Sequence, residues 1–528
     1  MTAPAVKTQP KITYSAIGGN LDEIHDRFDE ALGRVAGGFG AEFFSIVNGS
    51  PVQGSGVKQE SRSPIDRSVL IGTFASADKS DVDAAVAAAK RAQKTWAALA
   101  WQERVSIMRE IAERIRERRY ELAAIMSMEI GKNRFESLGD AEESADLIDY
   151  YADQVQEANG FARPLGRLAP NESTQDVLRP YGVFAVIAPF NFPMALATGM
   201  SAGALLGGNG VVFKPAEGAL RTGAFLAEVF TQSRLPRGLF NIVFGSGRTV
   251  GDYLTRHQGV DGIAFTGSHE VGMHLLREIG ASGRYAKPVL GELGGKNATI
   301  VTATADLDAA AEGVMRSAFG LQGQKCSACS RVYVDHRVAD RFLDLLLTKT
   351  KALAIGDPSK QDVFMGPVIN QGAVEKYERA IEAARRDGTV LFGGERLQTP
   401  PLDRGTFVSP AIVQLPLDHE LFGEELFLPI LAVGIVDSFD RALEESNRSH
   451  LGLTGGLFSA DEDEIARFFD EMEAGVLYVN RRTGATTGAW PGVQSFCGWK
   501  GSGMTGRGGC GPYYVGQFMR EQSRTRML

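Results

Sequence analysis

The chain has 528 residues, a net charge of −8, 44% hydrophobic residues and 23% charged residues. That length exceeds a single compact core, so two or three domains are expected, and the ordinary composition excludes a disordered or fibrous chain. The acidic balance, with no long Lys/Arg run, argues against a general nucleic-acid binder.

Met1 to Ala16 lacks the apolar stretch of a signal peptide, and Leu21, Ile24, Phe28 and Leu32 mark a short helical arm. Phe44 to Phe74 alternates short apolar runs with Gly and Pro, which predicts a β-meander. Ser80-Asp81-Val82-Asp83 reads as a helix N-cap before an alanine-rich helix. A second helix starts near Gln102. A third spans Glu136 to Val155, with its acidic residues predicted on the outer side. Ala158 to Arg179 is polar and reads as a hairpin extending from the body.

From there the pattern becomes βαβ. Pro180 to Phe213 carries no charge, a length that by itself suggests a membrane span. Pro189, Asn191, Pro193 and Asn209 break it into a buried strand, a loop, a buried helix and a second strand. Strands are expected at Val183 to Ala188, Gly210 to Lys214, Leu239 to Val243 and Gly262 to Phe265. A doubly wound sheet follows, with its ligand crevice at the carboxyl ends of those strands. Gly245-x-Gly247-x-x-x-Gly251 follows the third strand, one residue off the usual dinucleotide spacing. A second α/β block starts at Lys287, with a helix from Ala339 and strands near 389–392, 407–413 and 431–436. The basic tail Gln517 to Leu528 is expected to pair with the hairpin near residue 165 at a subunit interface.

Gly323-Gln324-Lys325-Cys326-Ser327-Ala328-Cys329-Ser330-Arg331 presents a thiol among small residues beside Lys325, which would favour thiolate. By itself it fits a nucleophile, a redox pair or half a zinc site equally. The four cysteines (Cys326, Cys329, Cys497 and Cys510) are too few for a disulfide framework, so a reducing, cytoplasmic setting is expected. Cys497 and Cys510 form no second C-x-x-C and no histidine lies near a cysteine in sequence, so no metal is expected.

Taken together, PFNFP (189–193), KPAE (214–217), FTGS (265–268), ELGGKN (292–297), GQKCSACSR (323–331) and EELF (424–427) resemble the aldehyde dehydrogenase superfamily over residues 45 to 510. Glu292 and Cys326 stand 34 residues apart (326 − 292 = 34), as that family keeps them. The resemblance implies an α/β fold with an NAD-binding domain (1–158 and 177–290), a catalytic domain (291–500) and an oligomerisation arm (159–176 and 501–528). It implies Cys326 as nucleophile, Glu292 as the base that activates water, and Asn191 with the Cys326 N–H as oxyanion donors. NAD falls to Ile187, Ala188, Pro189, Phe190, Lys214, Glu217, Gly247, Gly251, Thr266, Gly267, Ser268, Leu293, Glu425 and Phe427. Leu428 stands where the family usually has glycine.

GQKCSACSR with Thr483-Gly484-Ala485 is similar to the branch that oxidises L-glutamate γ-semialdehyde in proline breakdown. That likeness implies Ser327 and the N–H groups of Gly484 and Ala485 on the α-carboxylate, Glu136 on the α-ammonium, and Phe190 and Phe496 along the carbon chain. Extra residues in Thr486 to Gly492, including Trp490, with Ser495 and Cys497 beside Phe496, depart from that pattern. The alternative is an NAD-dependent dehydrogenase for another small aldehyde or semialdehyde. A silent scaffold protein or a Cys326–Cys329 redox protein are the rivals from other classes. The resemblance also implies a homo-oligomer, a dimer or an assembly of dimers, with no nucleic acid or membrane partner.

Overall fold

The computed structural model describes residues 12–14, 18–282 and 286–528, so the reading of Met1 to Ala16 lies outside them except at 12–14. The uncharged 180–213 stretch forms strand Val183–Ile187, a loop, helix Ala195–Leu206 and strand Gly210–Lys214. Val183 to Val186 and the whole Gly210–Lys214 strand are buried, because helices cover both faces of this parallel sheet. Each large side chain so buried, such as Phe184, contributes about 1.5–3 kcal/mol.

The first sheet has seven strands in the order Val289–Glu292, Gly262–Thr266, Val183–Ile187, Gly210–Lys214, Phe240–Ile242, Ser45–Val47, Ser50–Val52. The first five are parallel, and the order reverses between Val183–Ile187 and Gly262–Thr266. Such a switch point opens a crevice at the carboxyl ends of the strands. The expected meander is split. Its first hairpin adds antiparallel to this sheet, and Lys58–Arg62 and Leu70–Ala75 join Glu42–Phe43 in a separate three-stranded sheet.

A second seven-stranded sheet runs Thr389–Phe392, Ala411–Gln414, Ile430–Val436, Cys329–Asp335, Asn297–Val301, Thr454–Phe458, Val476–Val479. A second three-stranded sheet forms the arm. Met519–Met527 pairs antiparallel with Glu172–Pro180 along nine residues, and Ala162–Pro164 flanks it. The tail thus meets the hairpin within one chain. Among the described residues no helix is long and apolar enough to cross a membrane.

Two local expectations change. The alanine-rich helix Lys79–Ala98 is capped by Asp78, whose carboxylate accepts from the Asp81 N–H while Asp81 answers the Asp78 N–H. Helix Arg134–Glu157 keeps Asp153 and Glu157 outward but buries three of its acids. Asp140 bonds Lys132 Nζ (2.8 Å), Glu142 pairs with Arg119 (3.1 Å) and Asp146 with Arg116 (3.1 Å). Packed partners of opposite charge offset the desolvation that would otherwise hold these acids at the surface.

Candidate active site

A cavity of about 100 Å³ has Glu292, Lys325, Cys326 and Ser327 on one side. Leu147 and Tyr151 of helix Arg134–Glu157 and Leu196 and Met200 of helix Ala195–Leu206 wall it. Thr487, Gly488, Ala489 and Phe496 complete it, together with Tyr14 and Glu143.

Cys326 lies in a loop after a tight turn in which Leu321, Gln322 and Gly323 all take positive φ (+49°, +56°, +66°). A Cβ at Gly323 would stand 2.3 Å from the Leu428 carbonyl, so this close approach requires glycine. Asn297 clamps the loop: its Nδ2 donates to the carbonyls of Cys326 (2.7 Å) and Ala328 (2.9 Å), and its Oδ1 accepts from the Thr454 N–H. Burial, then the charges of Glu425 and Glu292, push the thiol up to about 12; the N–H groups of Ser327 and Cys326 oppose the shift. Lys325 does not supply the expected activation, because its ammonium pairs with Glu136 (3.1 Å). Cys329, three residues on, is buried and bonds Thr299 Oγ1 (3.2 Å).

Glu292 ends strand Val289–Glu292. Burial pushes its carboxyl up to about 8, against hydrogen bonds from the N–H groups of Gly509 and Gly498. Its Oε2 is buried without a hydrogen-bond partner. A buried carboxyl with one free oxygen is suited to take a proton from a molecule in the cavity. Asn191 follows strand Val183–Ile187 and is buried, and its carbonyl accepts from Lys132 Nζ (3.0 Å). Lys132 also lies 4.0 Å over the Phe192 ring, so one buried ammonium fixes the loop that carries Asn191.

At the switch point, Ile187 stands in register with Lys214 and Phe265, and Thr266 with Glu292. The Ala188 N–H donates to the Lys214 carbonyl (3.4 Å), which holds the Pro189 turn against its neighbour. Burial pulls the Lys214 ammonium down to about 8, offset in part by Glu217. Its Nζ donates to the Pro215 carbonyl (2.9 Å), and Glu217 Oε1 accepts from the Gly247 N–H (3.0 Å). Around Gly247 the space for a Cβ is open, and Gly251 rests against the Lys214 stem. Ser268 caps helix His269–Ser282 through the Val271 N–H (3.3 Å), while Gly267 donates to the Glu292 carbonyl and Leu293 to that of Ser502. Glu425 Oε1 accepts from the Gly295 N–H (2.8 Å), over a turn where a Cβ at Gly294 would meet the Glu425 carboxylate at 2.0 Å. Phe427 takes a positive φ (+60°) and meets Phe190 edge-on at 5.9 Å.

The predicted substrate residues divide. Ser327 and Phe496 line the cavity, whereas Glu136, Phe190, Gly484 and Ala485 do not. Glu136 is turned to Lys325. The Gly484 N–H donates to Arg481 O (3.3 Å) and the Ala485 N–H to Gly313 O (3.0 Å), so neither amide is free for a ligand. Ala485 is packed in the core beside helix Leu307–Phe319. The cavity takes a second Thr-Gly-Ala, Thr487-Gly488-Ala489. Thr486 tethers it by donating to the Ser327 carbonyl (2.6 Å).

Residues 52–523 match the aldehyde dehydrogenase family. The chain belongs to that family. A 1-pyrroline-5-carboxylate dehydrogenase of Bacillus pumilus is 35% identical over 535 residues, covering 100% of both chains. Another, from Halalkalibacterium halodurans, is 36% identical over 505 residues, covering 95% of this chain and 96% of the relative. A solved 1-pyrroline-5-carboxylate dehydrogenase from Thermus with bound NAD is 34% identical and superposes with a TM-score of 0.92, covering both chains fully. In this aldehyde dehydrogenase the reading of the sequence passed over several residues. Asn297 had a signal in its fixed motif beside Glu292. Thr487-Gly488-Ala489 had one too, as a repeat of the triplet chosen. Tyr14 and Glu143 had none, since their place in the cavity depends on packing between distant segments.

Proposed function

We propose that this aldehyde dehydrogenase oxidises L-glutamate γ-semialdehyde to L-glutamate with NAD, in the breakdown of proline. The observation that carries the reading is that Cys326 and Glu292 border one small cavity, the carboxyl with an unpartnered oxygen. An anion on either group raises the cost of one on the other, so a proton passes between them more readily than it leaves both. Cys326 attacks the aldehyde carbon, and the oxyanion so formed is held by the Asn191 side-chain amide and the Cys326 N–H. The residues at the switch point fit a dinucleotide. Open space at Gly247, the helix start at Ser268 and the acidic Glu217, which would bond ribose hydroxyls and repel a 2′-phosphate, favour NAD. When bound, NAD supplies the hydride acceptor and a cationic ring that favours thiolate. Loss of hydride from the thiohemiacetal leaves a thioester on Cys326, and Glu292 takes the proton of the water that hydrolyses it.

The α-carboxylate is assigned to Ser327 with Thr487-Gly488-Ala489, and Phe496 to the carbon chain. The apolar wall of Leu147, Tyr151, Leu196, Met200 and Phe496 suits the short carbon chain of such an aldehyde. The arm leaves Leu165, Leu168, Met527 and Leu528 exposed at the hairpin tip of its sheet, an apolar surface for a second copy in a cytoplasmic homo-oligomer. The domain limits expected from sequence are our proposed division, with two boundaries shifted off the strands they would cut, Glu172–Pro180 at 176/177 and Val289–Glu292 at 290/291. The test is NADH formation by the purified protein from L-glutamate γ-semialdehyde against pentanal. A kcat/KM preference for the amino-acid aldehyde is expected. Equal rates would assign the chain to another small aldehyde.

A further inference from the structure

Tyr14 reaches the cavity from the segment ahead of helix Leu21–Ala36, far in sequence from every other residue of the wall. Two residues earlier, Ile12 is buried in a cluster with Phe28, Tyr120 and Leu138, which fastens that segment to the helices beneath it. The tyrosine itself is wedged. Its ring lies against helix Arg134–Glu157 at Gly139, where a Cβ would stand 2.8 Å from the ring, so only glycine leaves it room. Edge-on contacts to Phe192 (5.4 Å) and Trp490 (5.6 Å) flank it, and its Oη donates to Glu143 Oε2 (2.5 Å).

The ring therefore fills a slot whose other sides are fixed without it. Gly139 gives the slot a floor with no side chain. Of the flanking rings, Phe192 lies under the Lys132 ammonium (4.0 Å), and the Trp490 Nε1–H donates to Asp146 (2.9 Å). Both rings are tied from behind, so removing the Tyr14 ring lengthens the cavity toward Gly139 instead of collapsing it. Leu147, Leu196 and Met200 line the cavity beside this slot, an apolar wall against which further methylenes of a carbon chain are buried favourably. We propose that Tyr14 is the stop that limits the length of aldehyde the cavity takes, a specificity-determining residue supplied by the N-terminal segment. The inference goes beyond the substrate reading above and does not depend on it, since it concerns the length of the carbon chain and not the groups at the α-carbon.

The test is kcat/KM, by NADH formation, for the straight-chain aldehydes from propanal to octanal in wild type, Tyr14→Phe, Tyr14→Leu and Tyr14→Ala. With the ring in place, wild type and Tyr14→Phe should stop gaining, or lose rate, beyond the same chain length. Tyr14→Ala should go on gaining for a few further carbons, by roughly fourfold per methylene, the effect of burying one CH2. Tyr14→Leu keeps an apolar side chain against Phe192 and Trp490, which guards against a first variant that does not fold, and should move the limit by less. A chain-length profile that is the same in wild type and both shortened variants overturns the inference. An equal loss for short and long aldehydes overturns it too, because Tyr14 would then serve packing alone.

Discussion

The two sides of the cavity are built in different ways. On the reacting side, Glu292 ends a parallel strand and Cys326 precedes another, each held by hydrogen bonds. The N–H groups of Gly498 and Gly509 hold the first, and the Asn297 amide holds the loop of the second. On the far side, Tyr14, Glu143 and Gly488 come from three distant stretches and meet through rings, one short hydrogen bond and glycine contacts. Chemistry thus sits at the ends of sheet strands, and selection sits where an N-terminal segment, a helix and a loop pack together. Changes on the reacting side should therefore stop turnover, and changes on the far side should alter which aldehyde is taken.

The largest effect is expected from Cys326→Ala, which should lower NADH formation by more than about 10³-fold. Cys329→Ala should keep most activity and lose about 1–2 kcal/mol of stability, for a buried thiol and its bond to Thr299. Comparable losses in both would return the pair to redox chemistry.

Next is Glu292→Gln, expected to release about one NADH per site and then stall, with thioester hydrolysis slowed roughly 10²- to 10⁴-fold. Burial raises the carboxyl to about 8, and only the carboxylate can accept a proton. Single-turnover hydrolysis by the wild type should therefore rise with pH and level off above about 8. A flat profile would remove Glu292 as base.

Smaller effects separate the two Thr-Gly-Ala copies. Gly488 has φ +112°, so Gly488→Ala strains the backbone by about 1–3 kcal/mol, and its contact with Arg481 falls on a movable side-chain end. Its KM for L-glutamate γ-semialdehyde should rise about tenfold, the effect of about 1.4 kcal/mol. Gly484→Ala meets Thr487 at 2.6 Å and should lower the melting temperature, with KM changed less. The reverse pattern would restore Gly484 and Ala485 to the substrate.

The smallest is Trp490→Phe. It removes one hydrogen bond to Asp146, which keeps Arg116, so a loss of about 1 kcal/mol and a few-fold rise in KM are expected.

By itself the sequence determined the strands Val183–Ile187, Gly210–Lys214 and Gly262–Thr266, because a run apolar on both faces has few places to go but a covered parallel sheet. It also determined the family resemblance and the residues of the reacting side, whose motifs are contiguous and whose turns are set by local glycine. Only the tertiary structure decided which of two identical triplets faces the cavity, since Thr483-Gly484-Ala485 and Thr487-Gly488-Ala489 differ in nothing but their neighbours. The Gly313 carbonyl, from a helix about 170 residues earlier, takes the Ala485 amide into the core. In the same way Lys132, Arg119 and Arg116 hold Asp140, Glu142 and Asp146 of helix Arg134–Glu157 inward, where charge pattern alone placed them in water. A buried charge is settled by the partner that packs against it, and that partner is rarely near in sequence.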